Sequence, residues 1–298
     1  MTERRPSWRR QEAFAAWGLA LPATVLLWLF LLGPAAAVIV LAFTDWQFGA
    51  TTFSFVGLGN FTAMAQNAVF RKSLVNTLLY VGTVVPGSVL LGLAVALLVE
   101  AGESLRSFYR VAYFLPVTST LIAMAIVWEF MLHPSVGVVN RLLESIGVTP
   151  RDWLQGSDTA LATLAAIGIW QAVGLNMVLF IAGLQSIPRV LYEALAMDGA
   201  RSAWDRFRLV TWPMLGPVTL FVVTITAIRS FQVFDTVAVL TEGGPNKATE
   251  VLLYSIYQEG FSFLRAGYGS AITVVFLAFV LVLTLLQMRL SERHVHYG

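Results

Sequence analysis

Long apolar stretches alternate with short polar ones along the whole chain. Six of the apolar stretches hold at least about 20 residues, the length at which an α-helix spans the roughly 30 Å hydrocarbon core of a bilayer. The pattern therefore predicts an all-α, polytopic membrane protein with six transmembrane helices. Their expected ranges are 17–43, 74–99, 108–132, 160–184, 209–234 and 268–288.

The first apolar stretch has two interpretations. It is either the core of a cleaved signal peptide, with Ala35, Ala36 and Ala37 at the cleavage site, or a retained first helix. A retained helix is favoured, because the apolar run continues past the alanines and exceeds a normal signal-peptide core. The expected organisation is an N-terminal segment over 1–16, the six-helix domain over 17–290 and a C-terminal tail over 291–298.

The distribution of lysine and arginine predicts the orientation. Of the 19 basic residues, Arg229 falls inside a predicted span, and the others divide unequally between the two sides of the membrane. The richer side carries Arg4, Arg5, Arg9, Arg10, Arg106, Arg110, Arg189, Arg201, Arg206, Arg208, Arg289 and Arg293. The poorer side carries Arg71, Lys72, Arg141, Arg151, Lys247 and Arg265. Because cytoplasmic loops are enriched in basic residues, both termini are expected in the cytoplasm.

Composition narrows the chemistry. The chain is 57% hydrophobic and only 12% charged, too few charges to coat a soluble globule of 298 residues. It has no cysteine and three scattered histidines, so no disulfide, metal site or catalytic centre is predicted. Lys72 and Lys247 lack a preceding Gly-x-x-x-x-Gly, which excludes a phosphate-binding loop for a nucleotide. A net charge of +2 gives no indication of nucleic-acid binding.

The polar segment 186–208 interrupts the apolar pattern between the fourth and fifth spans. Seven charged residues lie between Arg189 and Arg208, so the segment is expected in water. It predicts two short helices separated by a break. Ser186 is a candidate cap, Pro188 suits a first helical turn, and Gly199 can end the first helix in a left-handed conformation.

This segment resembles the signature loop of the membrane-spanning subunits of binding-protein-dependent ABC importers. That loop has Glu-Ala-Ala, then a glycine, then Ile-x-Leu-Pro. The corresponding residues here are Glu193, Ala194, Gly199, Val210 and Pro213, with Leu195 replacing the second alanine and Trp212 replacing the leucine. Segments 55–61, 110–116 and 241–245 are similar to segments of the carbohydrate branch, the sugar and glycerol-3-phosphate permeases of the maltose type.

The resemblance implies a type I ABC importer permease fold in a bacterial inner membrane, surrounded by lipid. It also implies partners: a second permease subunit forming a heterodimer, two copies of an ABC ATPase that bind ATP and Mg²⁺, and an extracytoplasmic solute-binding protein. This chain itself would need no cofactor, and its function would be alternating-access import of a carbohydrate. The residues expected to contact the ATPase are Arg189, Tyr192, Glu193, Ala194, Met197, Asp198, Gly199 and Ala200.

Two polar helix faces are candidates for the solute path. On the fifth span, Thr226, Arg229, Ser230 and Val233 follow i, i+3, i+4, i+7 spacing and share one face. On the fourth span a comparable face holds Gly168, Gln171, Ala172 and Leu175. The resemblance to the maltose type implies that both faces line the sugar site.

Simpler roles remain open for the polar residues on these faces. Gln171 and Thr226 can bond between helices, an interaction worth about 0.6 kcal/mol in membranes. Arg229 needs a partner inside a bilayer, which can be Asp235, Glu129 or the solute.

Two other classes of function are alternatives to an ATP-driven importer. A secondary transporter would bind its coupling ion with an intramembrane carboxylate, for which Glu129 and Asp235 are the candidates. A membrane-embedded hydrolase or transferase would need a cluster of carboxylates or histidines at one interface, and the sequence offers none.

Overall fold

The computed structural model describes the backbone of residues 7–102, 106–200 and 202–294, and the side chains of these except 7–15, 121, 287, 288 and 290–294. Arg4, Arg5, Arg201 and residues 295–298 of the predicted tail lie outside the described residues. Within the described ranges the structure is helical, and its one extended pairing is a single bridge between Thr44 and Phe55.

Fifteen α-helices occur in the described residues, and three π-helical turns, Trp28–Leu32, Phe207–Thr211 and Gln258–Ser262, join neighbouring helices. The α-helices are α1 (Ser7–Leu27), α2 (Gly33–Leu41), α3 (Gly59–Gln66), α4 (Ala68–Ala101), α5 (Arg106–Thr118), α6 (Leu121–Leu132), α7 (Val138–Ser145), α8 (Ala160–Ser186), α9 (Arg189–Met197), α10 (Ala203–Arg206), α11 (Trp212–Met214), α12 (Gly216–Phe231), α13 (Asp235–Leu240), α14 (Leu252–Tyr257) and α15 (Ala266–His294).

Five of the six predicted spans have a counterpart that is long and apolar enough to cross a membrane, and the remaining one corresponds to a bent pair of helices. Five stretches of the described chain are long and apolar enough to cross a membrane: Ala16–Leu41, Ala68–Ala101, Ala160–Ser186, Gly216–Leu240 and Ala266–Leu286. The third predicted span is instead the pair α5 and α6, bent by 102° at the break between them. The fifth span begins later than predicted, at Gly216 and not at 209, because residues 207–214 form a π-helical turn and a short helix that contains Pro213.

One compact unit consists of residues up to 66 and residues 256–275. Within it, segment 55–61 packs against the end of the first span. Asn60 donates to the carbonyls of Ala42 and Thr44 at 2.9 and 2.8 Å. The ring of Phe43 lies 6.3 Å from that of Phe55 and 5.3 Å from that of Phe61.

A hydrogen-bonded aspartate closes the loop after the first span. The Ser54 hydroxyl and the Ser54 backbone N–H both donate to the Asp45 carboxylate, each at 2.6 Å. Hydrogen bonds to the ionised form favour it, so the side chain and then the backbone of Ser54 lower the pKa of Asp45 below its ordinary value of 3.8.

The other compact unit consists of residues 67–255 and those from 276 onward. Its core lies along α4 and α8, which pack closely because small residues meet large ones. A Cβ at Gly92 would lie 2.6 Å from the Cβ of Asn176, and one at Gly168 would overlap the Tyr80 hydroxyl. Close approach at small residues is typical of helix pairs in membranes, where van der Waals contact is a main source of association.

The loop after α13 is fixed to the N-terminal half of α4, which the sequence did not indicate. Asn76 donates to the Glu250 carbonyl at 2.9 Å, and Thr77 accepts from the Leu252 backbone N–H at 2.9 Å. The Glu250 side chain is only 1% exposed, yet it is compensated by Lys247 at 3.0 Å and by the Ser255 hydroxyl at 2.9 Å. A buried carboxylate with both partners in place holds the loop in one conformation.

Candidate functional site

A cavity of about 260 Å³ opens among α4, α5, α8 and α12, at the break that precedes α13. All eight residues of the two predicted faces line it: Gly168, Gln171, Ala172, Leu175, Thr226, Arg229, Ser230 and Val233. This volume is slightly below the roughly 300–1,000 Å³ typical of small-molecule sites. Helical spacing therefore selected residues that meet in space.

The α8 face contributes a glycine that leaves room for a neighbouring side chain and a glutamine that lines the cavity. Gly168 is buried against Tyr80, and the absence of a side chain there leaves room for the phenol at the cavity wall. Gln171, one turn further on, is half-buried, and no hydrogen bond of its side chain occurs within the described part of the chain. The alternative of a bond between helices is thus not realised for Gln171, and its amide is available inside the cavity.

Thr226 lines the cavity, but its hydroxyl is already used in a hydrogen bond between helices. Its hydroxyl donates to the Asn176 Oδ1 at 3.0 Å, and the Asn176 Nδ2 donates to the Ser88 hydroxyl at 3.3 Å. All three side chains are nearly fully buried, at 3%, 1% and 0% exposure. The interhelical alternative is therefore realised for Thr226, since this chain of hydrogen bonds joins α12, α8 and α4 behind the cavity surface.

Arg229 lies near the middle of the span Gly216–Leu240 and is exposed to the cavity. Neither Asp235 nor Glu129 pairs with it, and no ion pair among the described residues includes it. A charged side chain at the centre of a bilayer costs about 2.5–3.5 kcal/mol on insertion scales. Arg229 is in the last turn of α12, where the helix dipole returns only about 0.3–1 kcal/mol. Most of the cost of placing this charge in the bilayer is therefore not compensated by an ion pair among the described residues.

The break between α12 and α13 shapes this end of the cavity. α12 ends at Phe231, and α13 begins at Asp235, so residues 232–234 interrupt the helical hydrogen bonding. The exposed Asp235 is the first residue of α13, where the dipole favours a carboxylate. Opposite charges thus line one cavity without touching. A discontinuous helix at a cavity is typical of transporter sites, because irregular backbone is tolerated where it lines a wet space.

Sequence reasoning missed two hydroxyl groups of this cavity, those of Tyr80 and Thr236. Tyr80 is 4% exposed, and its hydroxyl takes part in no hydrogen bond within the described ranges. The Thr236 hydroxyl is buried and likewise has no partner there. Tyr80 was missed because α4 was interpreted only as a long, mostly apolar span. Its phenol in mid-span was the one available signal, because a buried tyrosine hydroxyl usually has a partner.

The second predicted site, the polar loop, forms two short helices as expected. The first is α9, and Gly199 follows it in the left-handed region at φ +86°. The Gly199 N–H bonds to the Ala196 carbonyl and the Ala200 N–H to the Leu195 carbonyl, both at 3.2 Å, which is a Schellman motif. The expected caps were wrong: α8 continues through Ser186, and Pro188 precedes α9 and does not lie in its first turn.

The two sides of α9 face different surroundings. Leu191, Tyr192 and Leu195 pack against the core formed by α4, α8 and α12, and the Tyr192 hydroxyl lies 3.0 Å from that of Thr211. Leu191 and Leu195 therefore face inward, whereas the neighbouring Ala194 is exposed. Among the predicted contacts, Tyr192 and Ala200 are half-buried. Those exposed are Arg189, Glu193, Ala194, Met197, Asp198 and Gly199.

A charged cluster lies near the C-terminal ends of α4 and α8 and the N-terminal end of α5. The Glu100 carboxylate pairs with Arg106 at 3.7 Å and with Arg110 at 3.3 Å, and Gln185 of α8 donates to it at 3.5 Å. All three charged side chains are partly exposed, so screening keeps each pair weak. The cluster nevertheless connects three helices at one point.

Comparison with known proteins assigns the chain to a family. Residues 88–296 match the family described as binding-protein-dependent transport system inner membrane component. A probable ABC transporter permease protein of Pyrococcus horikoshii is 34% identical over 267 residues, covering 89% of this chain and 91% of that protein. The sn-glycerol-3-phosphate transport system permease protein UgpA of Agrobacterium fabrum is 34% identical over 286 residues, covering 94% and 95%.

Solved structures agree on the fold. A chain of a bacterial ABC transporter that imports the acidic polysaccharide alginate superposes with a TM-score of 0.85 at 22% identity, covering 97% of this chain and 99% of that one. The MetNI methionine ABC transporter gives a TM-score of 0.54 at 16% identity. With six apolar spans, a polar loop carrying the importer pattern and relatives matching along nearly its whole length, the chain belongs to the family of inner-membrane permease components of binding-protein-dependent ABC transport systems.

Proposed function

We propose that this chain is one half of the membrane channel of an ATP-driven importer, and that its solute passes through the cavity between α8 and α12. The observation that supports the proposal best is the convergence on one cavity of eight residues from two separate helices, which helical spacing groups into two faces and which the family resemblance assigns to the sugar site. A wet cavity near the middle of a span has no structural purpose in a permease unless something occupies it, since polar groups inside a bilayer are costly.

The proposed solute is a carbohydrate or a related polyol, such as a sugar, an oligosaccharide or a glycerol phosphate. Two arguments support this class. The Gln171 amide and the hydroxyls of Tyr80 and Thr236 supply neutral hydrogen-bonding groups of the kind that recognise hydroxyl-rich ligands. Relatives of the chain include permeases named for sn-glycerol-3-phosphate, and its fold neighbour belongs to an alginate importer.

The proposed contact with the ATPase is α9. Val190, Glu193, Ala194 and Met197 point away from the core, and Met197 is 89% exposed, which leaves an apolar patch with one carboxylate uncovered. A short helix of this kind fits a groove on a partner, and Glu193 can form a charge-assisted hydrogen bond there. The inward residues Leu191 and Leu195 would transmit movement of α9 to the core around α8 and α12.

The proposed assembly follows the family's arrangement. A second permease subunit would complete the channel, two ATPase subunits would bind ATP and Mg²⁺, and an external binding protein would deliver the solute. The alginate transporter has been solved with a pentasaccharide-bound periplasmic protein, which supports the last of these for a protein of the same fold. Both termini and the loop 186–208 would lie in the cytoplasm, because that orientation places most basic residues inside.

The test is reconstitution of the chain with its neighbouring transporter subunits in proteoliposomes. Uptake of a radiolabelled solute is expected to require ATP, the ATPase and the binding protein, and to persist when ion gradients are collapsed. Glu193→Ala is expected to reduce copurification of the ATPase without reducing insertion of the permease. Uptake driven by a sodium or proton gradient without ATP would contradict the proposal and favour a secondary transporter that uses Asp235 as its ion ligand.

A further inference from the structure

The charge of the cavity points to the chemistry of what enters it. Among its lining residues Arg229 is the one cation and Asp235 the one anion, and they do not pair. The guanidinium is exposed to the cavity and has no ion pair within the described part of the chain. A cation that the protein leaves uncompensated in mid-span is a group whose counter-charge comes from elsewhere.

Arg229 is suited to one kind of counter-charge. Its planar guanidinium presents parallel N–H donors that match the two oxygens of a carboxylate or phosphate, and such charge-assisted pairs are stronger than bonds to neutral hydroxyls. A neutral sugar would satisfy some of the donors but leave the charge. Desolvation in the cavity strengthens the attraction for an anion, because the local dielectric constant is lower than that of water.

The remaining polar groups of the cavity suit the rest of such a molecule. The Asp235 carboxylate is an acceptor that can take hydrogen bonds from hydroxyls. The Gln171 amide is half-buried at the cavity and has no hydrogen-bond partner among the described residues, so it is available to a ligand, and the more deeply buried hydroxyls of Tyr80 and Thr236 also lack a partner there. Neutral hydrogen-bonding groups and one carboxylate around the Arg229 guanidinium are complementary to a solute that has several hydroxyl groups and one acidic group.

We propose, on the basis of the function proposed above, that the solute carries a phosphate or carboxylate group, that Arg229 binds this group, and that Asp235 and Tyr80 bind hydroxyls of the same molecule. Arg229 is then the residue that determines selectivity for acidic over neutral carbohydrates. Tyr80 lines the same cavity, with its hydroxyl packed beside Gly168.

The test is ligand-induced thermal stabilisation of the purified permease–ATPase complex in nanodiscs, without the binding protein, so that only the membrane cavity selects. The probes are glycerol-3-phosphate and digalacturonate, which separate phosphate from carboxylate, with glycerol and maltose as neutral counterparts. At least one acidic probe is expected to stabilise the complex, and neither neutral probe is. Raising the salt concentration from 50 to 500 mM should weaken the acidic probe's effect.

Matched variants separate a binding role from a structural one. Arg229→Gln should raise the apparent Kd of the acidic probe at least tenfold. Arg229→Lys should raise it less, because the charge remains and only the paired donors are lost, and Tyr80→Phe should also raise the Kd less than Arg229→Gln. Arg141→Gln, which removes an exposed arginine of α7 that does not line the cavity, should change nothing. The unfolding temperature without ligand checks that each variant is folded.

Two results would overturn this inference. One is stabilisation by maltose or glycerol that Arg229→Gln does not alter, and the other is no stabilisation by either acidic probe. ATP-driven uptake of a neutral sugar would accompany the first result if the proposed function is right and only the selectivity is wrong. Binding of an acidic probe that depends on Arg229, in a complex with no ATP-driven uptake, would leave this inference standing and contradict the proposed function.

Discussion

Gly199 allows the coupling role of the polar loop to be tested by backbone strain alone. Its φ is +86°, a region that residues with a side chain rarely adopt, and a Cβ added there would meet no atom within 4 Å. A substitution at this position therefore causes strain without a steric clash. The strain acts on the Schellman motif that ends α9 and directs the chain towards Ser202.

The expected magnitude follows from the conformation. A left-handed residue with a Cβ costs roughly 1–2 kcal/mol, and a β-branched side chain lies at the upper end of that range. A free-energy change of that size alters a two-state population about 5- to 30-fold. We expect Gly199→Val to reduce solute-stimulated ATP hydrolysis and transport by a factor in this range, and Gly199→Ala by less. Gly199→Asn should be close to wild type, because asparagine tolerates the left-handed region.

The chain contains a closely matched control for this prediction. Gly147 follows α7 at φ +83°, it also ends a Schellman motif, with N–H bonds from Gly147 to Glu144 and from Val148 to Leu143, and a Cβ there would again meet nothing within 4 Å. Gly147→Val should therefore cost as much in stability as Gly199→Val. It should leave coupling intact, because the loop after α7 is expected on the external side.

The assay is solute-stimulated ATP hydrolysis and uptake by the reconstituted complex, alongside basal hydrolysis by the free ATPase, which should not change. Equal losses of coupling in Gly199→Val and Gly147→Val would refute the reasoning, because the effect would then come from general destabilisation. Wild-type coupling in Gly199→Val with the ATPase still bound would refute it as well.

Three further predictions concern the cavity and the outer loop. Asn176→Ala removes two buried interhelical hydrogen bonds and should lower the free energy of unfolding by about 1 kcal/mol. Gln171→Ala should lower it much less in the same detergent melt. Equal losses would contradict a stabilising role for the hydrogen bonds of Asn176 with Thr226 and Ser88. Gly168→Ala should reduce transport because the added methyl group overlaps the Tyr80 hydroxyl. Combining it with Tyr80→Phe should restore part of the transport. Full transport by Gly168→Ala alone would contradict close packing between Gly168 and Tyr80. Asp45 has a lowered pKa in the folded protein, so its carboxylate stabilises the fold above its ordinary value of 3.8, and this contribution is lost as the pH falls through the lower folded value. The difference in melting temperature between wild type and Asp45→Asn should therefore shrink below pH 3.8, and a difference that grows on acidification would contradict it.

The parts of the structure that sequence reasoning predicted are those governed by local pattern. Span length depends on the thickness of the bilayer, and the faces of α8 and α12 depend on helical spacing, so both could be derived without coordinates. The left-handed Gly199 was predictable for the same reason, because a helix end with glycine has one common conformation.

The parts that escaped prediction depend on contacts between distant segments. Tyr80 joins the cavity only because α4 packs against Gly168 of α8. The inward orientation of Leu191 and Leu195 depends on how α9 meets the core, since both are ordinary apolar residues of a short amphipathic helix. The break at 232–234 lies inside one apolar span, and the polar residues beside it, Gln232 and Asp235, are also compatible with a continuous helix, so the local sequence did not mark the break.

Contact between α9 and the ATPase is the central element of the proposed coupling, and site-specific crosslinking measures it directly. The chain contains no cysteine, so single cysteines can be introduced without removing native ones. Met197→Cys and Glu193→Cys, on the outward side of α9, should crosslink to the ATPase in the assembled transporter, and Leu195→Cys, on the inward side, should do so poorly. Arg141→Cys on α7 should give no crosslink to the ATPase. A crosslink from Arg141→Cys, with none from Met197→Cys or Glu193→Cys, would contradict both the orientation in the membrane and the role of α9.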